Sequence, residues 1–294
     1  MRALDNILKG ESVAQSIIIA QKIIGDYSSF DSKDDLLTIS NIIVALAKQV
    51  DIVNRIITNI EAYHAAVKER SRALIEKNKS IPDDVSTYIF VGKHTHKETL
   101  EVILGFLEFI VLSSDHQVTL GTANIDRLWT LFVQQPNFNS DQTLYLSWIN
   151  KHRENYHSEN LLFNEQEREH FFTKILCNRT YVDFQKITPG QAKSFHKFFK
   201  LINKVHGYIQ ASHKKIVVSE YEKLIGLEPL RQIAIESENE RTKDDSMDLL
   251  VDLHLKFDAT KITVEHQSKI WADFIQSCMQ QLESPDDRLV SNTL

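Results

Sequence analysis

In the stretch "HKETLEVILGFLEFIVL", the residues Leu100, Ile103, Leu104, Leu107 and Ile110 recur at three- and four-residue spacings. That is the period of one helix face, and a face this broad and apolar has to be covered by neighbours. The same period returns in segment after segment, separated by short polar links. A chain written this way folds by laying helix against helix, because none of them can bury its face alone. Sheets are disfavoured by what is missing. The 294 residues hold only 8 Gly and 5 Pro, too few for the many tight turns of a sandwich or barrel.

From Glu11 to Ile24, the residues Val13, Ile17, Ala20 and Ile24 keep helical spacing, and Gly25 offers a stop. Two helices are expected between Leu36 and about Lys77, the second long, with Val50, Val53, Ile57, Ile60 and Val67 as its buried stripe. Pro82 breaks the pattern and pushes Ile81 out of the helical region. After the segment quoted above, a helix runs from a Thr122 cap through Ile125, Leu128, Trp129 and Phe132 to Pro136. Another begins near Asp141 and carries Leu144, Tyr145 and Trp148.

The sharpest helix starts come next. Asn164 with Glu167 has the spacing of a capping box before Phe171, Phe172 and Ile175. Thr188 with Pro189 and Gln191 makes a second one, ahead of an inner face of Phe195, Phe198, Phe199 and Ile202. In "KLIGLEPLRQ", residues 223–232, Gly226 can supply a backbone angle closed to other residues and Pro229 fits a first helical turn, so the segment reads as a joint. Helices near 229–237, 240–257 and 263–283 complete the chain, and "WADFIQSCMQQL" within the last reads as a packing face. "KIVV" at 215–218 is the one tempting strand, without a convincing partner. The sum is about ten or eleven helices, an all-α chain expected to form a right-handed α-solenoid of armadillo/HEAT-like helical pairs. A globular helical bundle is the alternative.

Composition excludes several functions. With 34 basic and 40 acidic residues the net charge is −6, and no long basic run is present to meet a phosphate backbone, so nucleic acid is not an expected partner. Gln21 and Lys22 interrupt the apolar cluster near the N-terminus long before membrane-spanning length, which reads as neither a signal peptide nor an anchor. The 2 cysteines, Cys177 and Cys278, cannot make a disulfide framework or a four-thiolate zinc site, and they fit a reducing, cytoplasmic setting.

Candidate chemistry is thin. Cys177 comes late in its helix, where the backbone dipole disfavours a thiolate, and Cys278 lies among Phe274, Ile275 and Leu282 as a small core residue would. His94 and His96 in "VGKHTHKETL" form the only close histidine pair that suggests a metal, yet no carboxylate or cysteine nearby completes a set, and they read as solvent-exposed loop residues. His152 and His157, with Glu154 between them, read as ordinary surface, and the acidic "ESENERTKDD" at 236–245 reads as a solvated link or helix start, although a basic partner could use it. No phosphate-cradling glycine motif and no nucleophile elbow occurs. No catalytic, cofactor-binding or metal-binding residue is therefore assigned, no cofactor is expected, and the binding face stays unassigned.

A longer pattern carries more. "EYEKLIGLEPLRQIAIESENERTKDDSMDLLVDLHLKF" followed by "DFIQSCMQQL", and before them "THKETLEVILGFLEFIVL", "IDRLWTLFVQQP", "TLYLSWI" and "SFHKFFKLIN", resemble in content and order the non-catalytic helical-repeat region of the large ubiquitin-specific proteases of the fat facets type. The resemblance covers about residues 94–282. It implies an N-terminal helical segment over 1–90, a repeat region over 91–294, and a scaffold that recruits substrates for a deubiquitinating cysteine protease domain outside this chain. No position matches the family's cysteine or histidine box, so no catalytic residue carries over. The implied partners are proteins, ubiquitinated substrates or adaptors, with no membrane. A free-standing armadillo/HEAT-like adaptor is the alternative reading.

Overall fold

A computed structural model describes residues 41, 44–45, 51–76, 85–113, 117–151, 162–212 and 215–283. The expected helix over 11–24 and the surface residues His152, Glu154 and His157 lie outside these. Contacts divide the chain into two compact units, Met1–Tyr181 and Val182–Leu294.

In the first unit, α1 (Ile52–Glu76) buries Val53, Ile56, Ile57, Ile60, His64 and Val67 along one stripe, the long helix that the spacing predicts. Helix α2 (His96–Ser113) buries Leu100, Ile103, Leu104, Leu107 and Ile110. Its start is fixed by a reciprocal pair: the Thr95 N–H donates to Glu98 Oε2 at 2.8 Å, and the Glu98 N–H donates to Thr95 Oγ1 at 3.2 Å. Helix α3 (Thr122–Trp129) passes directly into a wider π turn at Thr130–Gln134, and α5 (Glu165–His170) does the same at Phe171–Leu176. Each wide turn closes with an i→i+5 bond, Gln135 N–H to Thr130 O at 2.8 Å and Cys177 N–H to Phe172 O at 2.9 Å. Phe171 and Phe172, consecutive in the second of these turns, are both fully buried. Between these helices lies α4 (Asn139–Lys151), whose Tyr145 ring stacks on Phe132 at 5.1 Å.

Thr122 is not the cap of α3. Gly121 takes that position at φ +80°, and in place of a local side chain the buried Glu167 accepts the Gly121 N–H with Oε1 while its Oε2 accepts the Asn164 N–H at 3.0 Å. The expected Asn164–Glu167 capping box is present, and the same carboxylate serves the start of a second helix.

The second unit opens with α6 (Pro189–Val205), started by the Thr188–Gln191 box as expected and burying Phe195, Phe198, Phe199 and Ile202. A β-hairpin follows, contrary to the purely helical expectation. β1 (Ile209–Ser212) pairs antiparallel with β2 (Lys215–Val218), Ile209 opposite Val218, and a lone bridge joins Val218 to Phe257. The run "KIVV" is thus a strand, and its partner "IQAS" is too short and too polar to announce itself. The joint before α7 (Leu227–Glu236) is as read: Gly226 sits at φ +83° and Pro229 in the first turn. The fully buried Asn203 of α6 holds it, donating to Ile225 O at 2.9 Å and accepting the Ile225 N–H at 2.8 Å.

Asn239 caps α8 (Glu240–Leu255), and α9 (Val264–Glu283) is the last helix of the nine among the described residues. The reading of "WADFIQSCMQQL" as a packing face needs correction. Ile270 is buried, but Trp271, Ile275 and Met279 are exposed, because α9 meets its neighbours along one edge only. The side chain of Cys278 lies outside the described residues.

Glu167→Ala leaves two helix-start N–H groups without their acceptor. Urea unfolding of the full chain is expected to show a loss of about 2–3 kcal/mol, with Glu167→Gln recovering part of it.

Candidate functional site

The two histidines read as solvent-exposed loop residues differ on folding. His94 stays partly exposed, whereas His96 is 2% exposed and not a solvent loop residue at all. Its Nε2–H donates to Asp141 Oδ1 at 2.8 Å, and Asp141 is itself 1% exposed. The carboxylate fixes the proton on Nε2, so in the neutral ring Nδ1 accepts the Tyr63 hydroxyl at 2.8 Å. Phe90 and Phe138 stand edge-on to the imidazole at 5.7 and 5.3 Å. Three helices are joined here, α1 through Tyr63, α2 through His96 and α4 through Asp141.

A cavity of about 470 Å³ opens beside this group, lined by Ser86, Lys97, Leu100, Glu101, Ser140, Thr143, Leu144 and Ser147 along with His96 and Asp141. Its chemistry is limited by the hydrogen bonds already made. Both imidazole nitrogens are engaged in hydrogen bonds, and burial pushes the Tyr63 phenol up to about 12, so the phenol keeps its proton at neutral pH. His64, next to Tyr63 in α1, is held below its usual pKa by burial, against the pull of the Asp141 charge. The arrangement is a clamp between helices. His96→Phe would leave Asp141 buried without its partner and is expected to cost about 3–5 kcal/mol in urea unfolding, with Asp141→Asn milder.

Cys177 is equally unsuited to attack. It follows the π turn at the end of α5, and burial pushes its thiol up to about 12. No histidine hydrogen-bonds its sulfur among the described residues. Nor, among those residues, does any group of three His, Cys, Asp or Glu stand ready to hold a metal ion.

Two further histidines take up structural positions that the sequence did not advertise. His196 of α6 donates from Nε2 to Ser246 Oγ of α8 at 2.8 Å, and Ser246 passes its own hydrogen to Thr242 O at 2.7 Å. His254 of α8 donates from Nδ1 to Leu250 O at 2.6 Å and accepts the Tyr221 hydroxyl at Nε2 at 2.8 Å, while Arg231 donates to that hydroxyl at 3.0 Å. A lone histidine on an amphipathic helix gives no sequence signal of which partner it will meet. Burial lowers the pKa of His254 and brings His196 down from 6.5 to about 4.

These depressed values fix the sign of an acid response. Above 6.5 the histidines are neutral in both states and nothing is lost; between 6.5 and about 4 the unfolded chain takes up a proton that folded His196 refuses, so stability falls as pH falls. His196 alone accounts for about 3 kcal/mol across that window. Urea midpoints measured from about pH 7 to pH 4.5 should decline, and His196→Gln should remove much of the slope.

Such helices, clamped in pairs by polar contacts, define a helical-repeat protein of the armadillo type, a class that generally serves protein–protein contact. The family described as UBP24/USP9X/USP9Y ARM repeat matches residues 5–203, and the chain belongs to that family. The match takes in the first ninety residues, outside the stretch over which the resemblance is drawn, and ends within α6. Among curated relatives, mouse ubiquitin carboxyl-terminal hydrolase 9Y is 26% identical over 206 residues, which is 70% of this chain and 8% of that protein. Mouse ubiquitin carboxyl-terminal hydrolase 9X is 25% identical over 208 residues, again 70% and 8%, and human ubiquitin carboxyl-terminal hydrolase 24 is 25% identical over 207 residues, 69% and 7%. The chain therefore spans less than a tenth of the length of the relatives it matches. Among the described residues, no helix is long and apolar enough to cross a membrane.

Proposed function

We propose that this chain is a non-catalytic scaffold region of a ubiquitin carboxyl-terminal hydrolase, holding ubiquitinated substrates or adaptors for a protease domain that lies outside these residues. The family match over residues 5–203 is the observation that supports the reading. The state of Cys177 is in keeping with it, since a thiol held near 12 supplies almost no thiolate at neutral pH. A cytoplasmic setting goes with the reading, as does the absence of any cofactor from its mechanism.

In this reading the work of the chain is positional. A repeat region raises the effective concentration of a bound substrate at a tethered protease domain and leaves the bond-breaking chemistry unchanged.

The test is turnover of a fluorogenic ubiquitin substrate by the purified chain, with a covalent ubiquitin probe in parallel. No turnover and no labelled cysteine are expected. Turnover abolished by Cys177→Ala or Cys278→Ala would overturn the reading. Transcript sequencing past Leu294 addresses the tethered domain: an in-frame continuation toward a cysteine protease supports it, and an immediate stop codon would leave a free-standing adaptor.

A further inference from the structure

Helix α8 turns two unlike rows of side chains toward solvent. Met247, Val251 and Leu255 follow one another at four-residue spacing, all exposed, with Leu255 at 63%. Beside them, Asp244, Asp248 and Asp252 keep the same spacing, also exposed, and form no ion pair among the described residues. At 100° per residue the two rows run side by side along the outer face. The cations of α8, Arg241 and Lys243, are both confined to its first turn, and Lys243 is occupied by Glu240 at 3.9 Å. At the other end, the Trp271 indole donates to His254 O at 2.7 Å, and Phe274 stacks on the His254 ring at 3.9 Å. That anchor sets Trp271, 43% exposed, at the end of the apolar row, and Ile275 and Met279 carry exposed apolar surface further along α9.

We propose that this face of α8, extended by Trp271, docks a cationic amphipathic helix from a partner protein. An apolar row for the partner's leucine-like side chains sits next to carboxylates placed to meet its lysines or arginines. Charge selects among occupants. An anionic lipid surface or a nucleic acid would face the aspartate row and be repelled. A second copy of the chain, pairing α8 with α8, would bring like charges together. From the scaffold reading the proposal takes only that the occupant is a protein segment, so failure of the ubiquitin assays would leave this test intact.

The test uses the full chain and a fluorescein-labelled model helix of about 14 residues, with Leu at four-residue spacing flanked by Lys, followed by anisotropy; a matched peptide carries Glu in place of Lys. The Leu/Lys helix should bind, with salt weakening it, and the Leu/Glu helix should bind about tenfold more weakly or not at all. Val251→Ser with Leu255→Ser should reduce binding about tenfold or more, and Asp248→Asn with Asp252→Asn should remove most of the salt dependence. These positions are exposed, and an unchanged circular dichroism melt confirms that each variant is folded. Equal affinity for both peptides, no binding, or binding indifferent to the α8 substitutions would overturn the proposal. So would a concentration-dependent dimer, seen by sedimentation, that Leu255→Ser abolishes.

Discussion

Apolar faces press helices together without saying where along their length they should meet, and in this chain that information comes from polar side chains buried between them. Glu167 is the clearest case: one carboxylate, 2% exposed, receives the first N–H groups of two helices that begin about forty residues apart. A polar group so buried is tolerable because both oxygens are met by backbone donors at positive helix ends. A slide of α3 along α5 by one turn would break that bond and leave the buried oxygen without its donor. The hydrophobic contacts would change far less.

The same device recurs at each joint. His96 and Asp141 tie α2 to α4 with Tyr63 of α1 above them; His196 and Ser246 tie α6 to α8; Asn203 grips the peptide of Ile225 from both sides just ahead of Gly226. Each of these would be costly if left half-made, so each penalises a wrong register more than it rewards the right one. Leucine-rich helices are interchangeable in their packing, and this penalty is what makes one arrangement unique.

The sequence discloses what depends on near neighbours. The boxes at Asn164–Glu167 and Thr188–Gln191 involve residues three apart, and the left-handed joint at Gly226 needs only that one residue, so all were legible. What escaped involves distance or short length. The cap of α3 comes from Glu167, far along the chain, and the sequence offered Thr122 instead. His96 meets Asp141 across 45 positions, so a histidine that reads as a loop residue becomes core. The hairpin strands have four residues each, below the length at which alternation can be told from chance. The π turns leave no mark, since paired aromatics are buried together in the regular helix α6 as well, at Phe198 and Phe199.

Helix α9 shows a different limit. Apolar residues at helical spacing look the same whether they face a core or face water, so Trp271, Ile275 and Met279 read as packing residues and are exposed. Periodicity states that a face will be covered by something, and it does not say by which chain. On α8 a row of exposed aspartates runs beside the exposed apolar row, and that charge narrows the choice of partner. Buried polar groups fix how this protein's helices meet one another; exposed polar groups beside an apolar row specify what else they can meet. In a repeat region of the armadillo family, that second specification is what a partner would read.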